Sequence, residues 1–294
     1  MKYILTADNH FQYNQPICRT DNFIETQIKK IQWLSNLKAK HNAIILNAGD
    51  ILHKPRVEKQ ELFSLLLNNL PEMYGVAGNH DLMYHNLSNL MDSSIGVLIS
   101  AGVYKFINYK NPLVIEDDKI YGFSYGEIIK NPINISNNNI AIWHNMVFEK
   151  ENNFKFTDGY NAIDVLKENS SYKLILTGDN HKTFTCDYEN RYLVNPGSLT
   201  RDDAAQIDHR PCVFIYDSTK HQLEKIYVPI ENNVISTKHL DIKKEKNQRL
   251  EAFVESVNSN YEIGFSFQKN LENYLSSNKV SLKIKNIIYE CTGI

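Results

Sequence analysis

Residues 4–10 read ILTADNH and residues 175–181 read ILTGDNH. Each is a short apolar run of strand length that ends in Asp-Asn-His. Charge at the end of a buried strand is costly unless it is paired or coordinated. In an extended chain, residues i and i+2 point the same way. Asp8 and His10 can then reach one ion from a single strand end, and Asp179 and His181 can do so from another. One such pair supplies only two ligands, and a catalytic metal needs three or more plus an open position.

Three further segments carry the same chemistry: AGD with Asp50, AGNHD with Asn79, His80 and Asp81, and IWHN with His144. Each follows a strand-like run. Any one of them alone reads more readily as a cap or a surface pair than as a ligand site. Five such strand ends mixing His, Asp and Asn are hard to explain as core packing. Carboxylates, imidazoles and an amide oxygen suit Mn²⁺, Fe or Zn²⁺ better than Ca²⁺.

Around these segments the first third alternates strand and helix. KYILTA, AIILNAGD and MYGVAGNHD read as strands. Residues 22–40 place Phe23, Ile28, Ile31, Leu34 and Leu37 at helical spacing, and residues 57–69 read as a second helix. This order implies parallel strands with right-handed crossovers, which bind ligands at their C-terminal ends. Residues 182–230 read as β-rich, with hairpin turns at YENR and DSTK. The fold class is therefore α/β, a layered body over residues 1–235. A polar linker is expected over 236–247 and a small helical module over 248–294. Three stripes define that module: Leu250, Phe253, Val254 and Val257; Phe267, Leu271, Tyr274 and Leu275; Ile284, Ile287, Ile288 and Cys291, with Ser281 as an N-cap.

The chain has 294 residues, 42% of them hydrophobic, enough for a proper core. Its net charge of −2 neither shows nor excludes a nucleic-acid partner. A bare DNA-binding module is usually more basic, but a nuclease can carry positive charge as bound metal. Cys18, Cys186, Cys212 and Cys291 are scattered, which argues against a disulfide framework or zinc knuckle. No signal peptide or membrane span is read, because Asp8 interrupts the first apolar run too early. A cytoplasmic protein is expected.

Taken in order, Asp8-x-His10, Gly49-Asp50, Gly78-Asn79-His80-Asp81, His144 and Gly178-Asp179-x-His181 resemble the signature of the calcineurin-like metallophosphoesterases. The resemblance implies a four-layer α/β/β/α sandwich built from two similar halves, and two divalent metal ions. Asp8 and His10 would bind the first metal, Asp50 would bridge both, Asn79 and His144 would bind the second, and His181 would return to the first. His80 would contact phosphate and protonate the leaving oxygen, with Asp81 orienting it. The departure is Asp179, where the family usually has a His that ligates the second metal. An Asp there either ligates through oxygen, favouring Mn²⁺ or Mg²⁺ over Zn²⁺, or marks a damaged second site.

GDILHKPRVEKQEL, GNHDLMYHN and SSIGVLISAGV are similar to the nuclease subunit of the bacterial SbcCD complex, and the compact size resembles bacteriophage versions. The resemblance implies a DNA exo/endonuclease in recombination and repair, gripping an SbcC-like SMC-type ATPase through its helical module. Helices at 57–69 and 86–101 would form a homodimer interface, or they are simply buried. His53 reads either as a catalytic histidine or as a loop histidine beside the site. His85 and Arg201 read as phosphate contacts, or as structural and surface residues respectively. The competing readings are a free-standing phosphatase or cyclic-nucleotide phosphodiesterase, and a scaffold that has lost catalysis. No membrane partner is expected.

Overall fold

The computed structural model describes residues 1–133, 136, 138–149, 159–259 and 267–292. The chain divides into two compact units, Met1–Ser236 and Thr237–Ile294. The first runs β1 (Lys2–Thr6), α1 (Phe23–His41), β2 (Ile44–Asn47), α2 (Gln60–Asn69), β3 (Met73–Gly75), α3 (Ile95–Ser100), β4 (Tyr104–Phe106), β5 (Leu113–Ile115), β6 (Asp118–Phe123), β7 (Asn138–His144), β8 (Val147–Phe148), β9 (Tyr160–Asn161), α4 (Ala162–Glu168), β10 (Leu174–Gly178), β11 (Phe184–Asp187), β12 (Tyr192–Asn195), β13 (Cys212–Asp217) and β14 (Gln222–Tyr227).

The two ILT runs fall in β1 and β10, and their places in the fold match. One six-stranded sheet is ordered β14-β13-β1-β2-β3-β4 and the other β11-β12-β10-β7-β6-β5, so each run is third in its sheet. β1 to β4 are mutually parallel, as are β6, β7, β10 and β12. The expected hairpins β11–β12 and β13–β14 are antiparallel, as is β5–β6. YENR closes the first of them, with Glu189 and Asn190 both at positive φ (51° and 56°).

Alternation along the strands builds the layers. Tyr3 and Leu5 of β1 pack with Leu174 and Leu176 of β10 in the core between the sheets. Ile4 points the other way, into a core with Ile31 and Leu34 of α1 and Leu62 and Leu66 of α2. Ile175 likewise leaves the central layer and meets Val165 and Leu166 of α4. The result is the expected four-layer α/β/β/α sandwich.

Three local expectations change. α2 begins at Gln60 rather than Val57, and the Val57 N–H is donated to Ser94 Oγ at 2.7 Å. Within 86–101 only α3 is α-helical. The segment before it forms 3₁₀ turns, one of them N-capped by Asn86, whose Oδ1 accepts from Ser88 N. The segment expected as a linker is helical from Lys238.

The second unit consists of α5 (Lys238–Ser259), α6 (Phe267–Ser277) and α7 (Leu282–Thr292). Lys, Glu, Gln and Leu over 238–251 are good helix formers, so polarity there marks an exposed helix rather than a break. Leu275 is buried, whereas Leu250, Val254, Phe267, Tyr274, Ile284 and Ile287 are exposed. The side chains of Phe253 and Val257 lie outside the described residues. Among the described residues, no helix is long and apolar enough to cross a membrane.

A buried amide ties the first sheet to the loops above it. Asn47, at the end of β2, donates to Thr6 Oγ1 (3.1 Å) and Asn9 Oδ1 (2.8 Å). Its oxygen accepts from Gly49 N (2.8 Å) and Tyr104 OH (3.2 Å). Asn47→Ala strands several of these groups at once. Urea unfolding of that variant is expected to show a loss of about 2–4 kcal/mol. A loss below about 0.5 kcal/mol, the range of ordinary surface changes, would contradict the role given to this amide.

Candidate metal centre

The loops that follow β1, β2, β3, β7 and β10 meet at one end of the sandwich. The backbone zips two of them together. Asp8 N donates to Gly49 O (3.1 Å), His10 N to Asp50 O (2.9 Å) and Phe11 N to Ile51 O (2.8 Å). A third strand end joins through Asp179 N, which donates to Asp8 Oδ1 at 3.0 Å.

The convergence does not come from extended geometry, as the sequence suggested. β1 stops at Thr6, and both Asp8 and His10 take left-handed φ values of 48° and 49°. Asp50 (53°) and Asp179 (76°) do the same. Asp and His tolerate this region better than most residues, and backbone strain of this kind collects at functional sites. Gly78 supplies the remaining room, since a Cβ there would stand 2.1 Å from Asp50 Oδ1.

Two nitrogens, His10 Nε2 and His181 Nε2, face each other at 3.0 Å, and Asp50 Oδ2 lies 3.8 Å from the first. The same oxygen is 3.6 Å from His144 Nε2, which is 3.0 Å from Asn79 Oδ1. His144 Nδ1 is 2.6 Å from Ala48 O. A carbonyl only accepts, so Nδ1 carries the proton and Nε2 is left as a ligand atom. Ligand atoms of Asp8, His10 and His181 lie within 4.8 Å of one another, and so do those of Asp8, Asp50 and His144, and those of His10, His53 and His80. Asp179 belongs to none of these groups, although its charge acts on Asp8, Asp50 and His181.

The charges do not balance by themselves. Burial, reinforced by Asp50, pushes the Asp8 carboxyl up to about 8. Burial and then Asp81 push Asp50 well above the usual carboxylate range. Burial and the neighbouring imidazoles, His181 first, hold His10 well below the usual histidine range. Asp8 Oδ2 is buried and has no hydrogen-bond partner among the described residues. Divalent cations would favour the ionised carboxylates and the neutral His10 imidazole alike, so the donor set fits them.

The other expected site residues fall around this cluster. The His80 ring is 4.9 Å from that of His10, centroid to centroid, and its Nδ1 is 2.7 Å from His53 O. Asp81 does not orient it. Its two oxygens accept from the backbone N–H groups of Ile51, Leu52 and Gly78, so it staples two loops together. The nitrogen of His80 that could have faced a carboxylate, Nδ1, is instead held by the His53 carbonyl. His53 lies at the rim, its ring 5.7 Å from both His10 and His80. Its Nδ1 is 3.1 Å from Asp202 Oδ2, near enough for an ion pair but poorly aligned for a hydrogen bond. His85 is exposed, its Nδ1 3.1 Å from Asn79 O. Arg201 is buried, 6% exposed, with its guanidinium on the carbonyl of Glu231 (3.0 Å). It is neither a surface residue nor part of the metal cluster.

Asn47, Asp202 and Tyr125 were not foreseen. A polar residue closing the apolar run IILN was the one available signal, for Asn47. Tyr125 sits 6.3 Å from the His144 ring and 6.0 Å from that of His85, and nothing in its sequence neighbourhood marks it.

The model of the calcineurin-like phosphoesterase family matches residues 1–183. No curated protein matches the chain. Similar solved structures include an archaeal phosphodiesterase, 12% identical, covering 77% of this chain and 99% of that one at a TM-score of 0.43. Vps29 from Entamoeba histolytica complexed with Zn²⁺ is 13% identical, covering 78% and 100% at 0.37. Vps29 from Cryptosporidium parvum is 16% identical, covering 77% and 95% at 0.36.

Asp50→Asn keeps the oxygen that accepts from His80 N but removes the charge. In metal-free protein it is expected to raise stability by on the order of 1 kcal/mol, while the stabilisation gained on adding Mn²⁺ disappears. Thermal unfolding with and without metal reads both. A destabilised apo-variant that still responds to Mn²⁺ would contradict this account of the buried charge.

Proposed function

This chain belongs to the calcineurin-like phosphoesterase family, and on that premise we propose that it is a metal-dependent DNA nuclease, exo- and endonucleolytic, acting in recombination and repair. The observation that carries the reading is a groove beside His53. A cavity of about 80 Å³ there is lined by Tyr13, Lys54, Arg56 and Lys59, with Glu58 as the one carboxylate. Lys59 Nζ stands 5.8 Å over the Tyr13 ring. Basic groups around an aromatic face suit a polyanionic strand, whereas a small phosphomonoester needs no such track.

In this reading Asp8, His10 and His181 would hold one ion and Asn79 and His144 another, with Asp50 available to both. Asp179 adds an oxygen donor on the second, and the mixed set favours Mn²⁺, with Mg²⁺, Fe or Zn²⁺ as lesser fits. Bound ions would neutralise the phosphodiester charge and make a nucleophile available at neutral pH. His80, its ring fixed through Nδ1, delivers a proton from Nε2 to the leaving oxygen. Asp81 keeps the loops carrying Asp50 and His80 in register.

The helical unit supports a partner. Phe267 (70% exposed), Leu282 (77%) and Tyr274 (62%) leave apolar faces open, as an amphipathic helix that grips a coiled coil requires. We assign that face to an SbcC-like SMC-type ATPase. Exposed Leu67, Met91 and Val97 favour a homodimer through the first unit.

Assays on linear duplex DNA with Mn²⁺, beside a panel of nucleotides, test the reading. Replacing Lys54, Arg56 and Lys59 together by Ala is expected to lower kcat/KM on DNA by about tenfold or more beyond any effect on a small diester. The salt slope of DNA binding is expected to fall by roughly 2–3. Nucleotide turnover without DNA degradation would identify a free-standing phosphatase or cyclic-nucleotide phosphodiesterase instead. Asp179→Ala is expected to lower metal content from about two ions per chain toward one; unchanged content would remove Asp179 from the ligands.

A further inference from the structure

Buried charge also converges away from the metal centre. A cavity of about 180 Å³ is walled by Arg19, Lys30, Trp33 and Arg201 on one side and by Val228–Glu231 on the other. Arg19, Lys30 and Arg201 are 6%, 4% and 6% exposed. One buried-side carboxylate faces them, Asp21, and it is committed to Arg19, with Oδ1 2.8 Å from Nε. The other acceptors are carbonyls: Leu199 O for Lys30 Nζ (2.5 Å), Arg201 O for Arg19 Nη1 (3.0 Å) and Glu231 O for Arg201 Nη2 (3.0 Å). Carbonyls satisfy N–H groups but do not neutralise charge. The Glu231 carboxylate is turned outward to Lys29, at 2.6 Å, with both side chains more than half exposed. Arg201 Nε is buried and has no hydrogen-bond partner among the described residues.

We propose that this cavity binds a phosphate oxyanion, free or as the phosphomonoester of a nucleotide, held by Lys30, Arg201 and Arg19. Three buried cations against one carboxylate leave a surplus that a dianion would balance through charge-assisted hydrogen bonds. The volume is about six times the ~30 Å³ that a water molecule occupies in the liquid, room for a phosphate and part of a sugar. It falls short of the roughly 300 Å³ and upward of pockets that enclose whole ligands. Trp33, half-buried at the wall, offers a face to whatever the phosphate carries. The charge surplus also accounts for Lys30, whose ammonium is brought down to about 7 by burial first and then by Arg19 and Arg201. An anion would restore it.

The site borders the metal centre through one segment. Leu199, whose carbonyl holds Lys30, donates its N–H to Asp8 O (3.1 Å), and Ser198 N donates to His181 O (3.2 Å). The inference does not rest on the nuclease reading and survives if that reading fails.

The test uses the full chain stripped of metal by chelator, so that the metal centre lends no affinity for phosphate. Inorganic phosphate and a nucleoside monophosphate are titrated at constant ionic strength, read by Trp33 fluorescence and by thermal unfolding. The expected result is a saturable fluorescence change and a rise in Tm, with affinity at least about tenfold weaker in Lys30→Met and Arg201→Met. Tighter binding of the nucleotide identifies it as the source; equal affinity identifies free phosphate. Tungstate-soaked wild-type crystals give a second reading should either variant fail to fold, with anomalous density expected beside Arg201. No saturable response in the wild type, unchanged affinity in both variants, or density elsewhere only would overturn the proposal. So would binding that is lost in Asp50→Asn rather than in Lys30→Met.

Discussion

Two carboxylates that share one dry site set the terms for this structure. Asp8 and Asp50 are 0% and 1% exposed, and burial raises the proton affinity of both, with Asp50 adding to the effect on Asp8 and Asp81 to that on Asp50. Such a pair does not persist in a fold for its own stability, since buried charge without a partner costs several kcal/mol. What holds the pair in place is a set of backbone bonds between the loops after β1 and β2, with the loop after β3 tied in through the Asp81 carboxylate. Asp81 and Asn47 stand beneath those loops and spend their hydrogen-bonding capacity on them. The four left-handed residues are part of the same arrangement. Extended backbone would carry Asp8 and His10 along the strand direction, and the αL turns bring both into the cluster instead.

The paired sheets explain why the unit occurs twice. β1 and β10 occupy equivalent positions in two sheets packed face to face, so their C-terminal ends arrive at one rim. A single sheet end offers Asp8, His10 and Asp50. The second adds His144 and His181 from across the sandwich, which closes the shell that one half leaves open. The repeated ILT-x-DNH is thus the trace of a two-fold arrangement of strands, and the two copies are not interchangeable. Asp8 contributes a carboxylate oxygen to two ligand groups, whereas Asp179 meets it through a backbone N–H.

Most of this was legible because it depends on local pattern. Strand-length apolar runs, the helix over 23–41 and the cluster of metal-ligand residue types all follow from periodicity and composition. What was not legible depends on which partner a side chain finds across the fold. The sequence offers no means of knowing that Asp81 is consumed by Ile51, Leu52 and Gly78, or that Arg201 turns away from the metals into a cavity with Arg19 and Lys30. Both residues look like site residues because they adjoin them in sequence. The 236–247 segment shows a different failure: a polar stretch is read as a break when its residues are individually good helix formers. Exposure alone does not separate linker from solvated helix.

The buried cations behind Leu199 and the buried carboxylates in front of it form a charge-separated pair of sites joined by residues 198–201. Each is short of counter-ions of the opposite sign. The central claim is that strand ends from both sheets together hold two ions at Asp50. Anomalous diffraction from crystals grown with Mn²⁺ tests it most directly. The account predicts two peaks with Asp50 between them, one beside Asp8, His10 and His181 and the other beside Asn79 and His144. A single peak, or peaks that do not share Asp50, would contradict it.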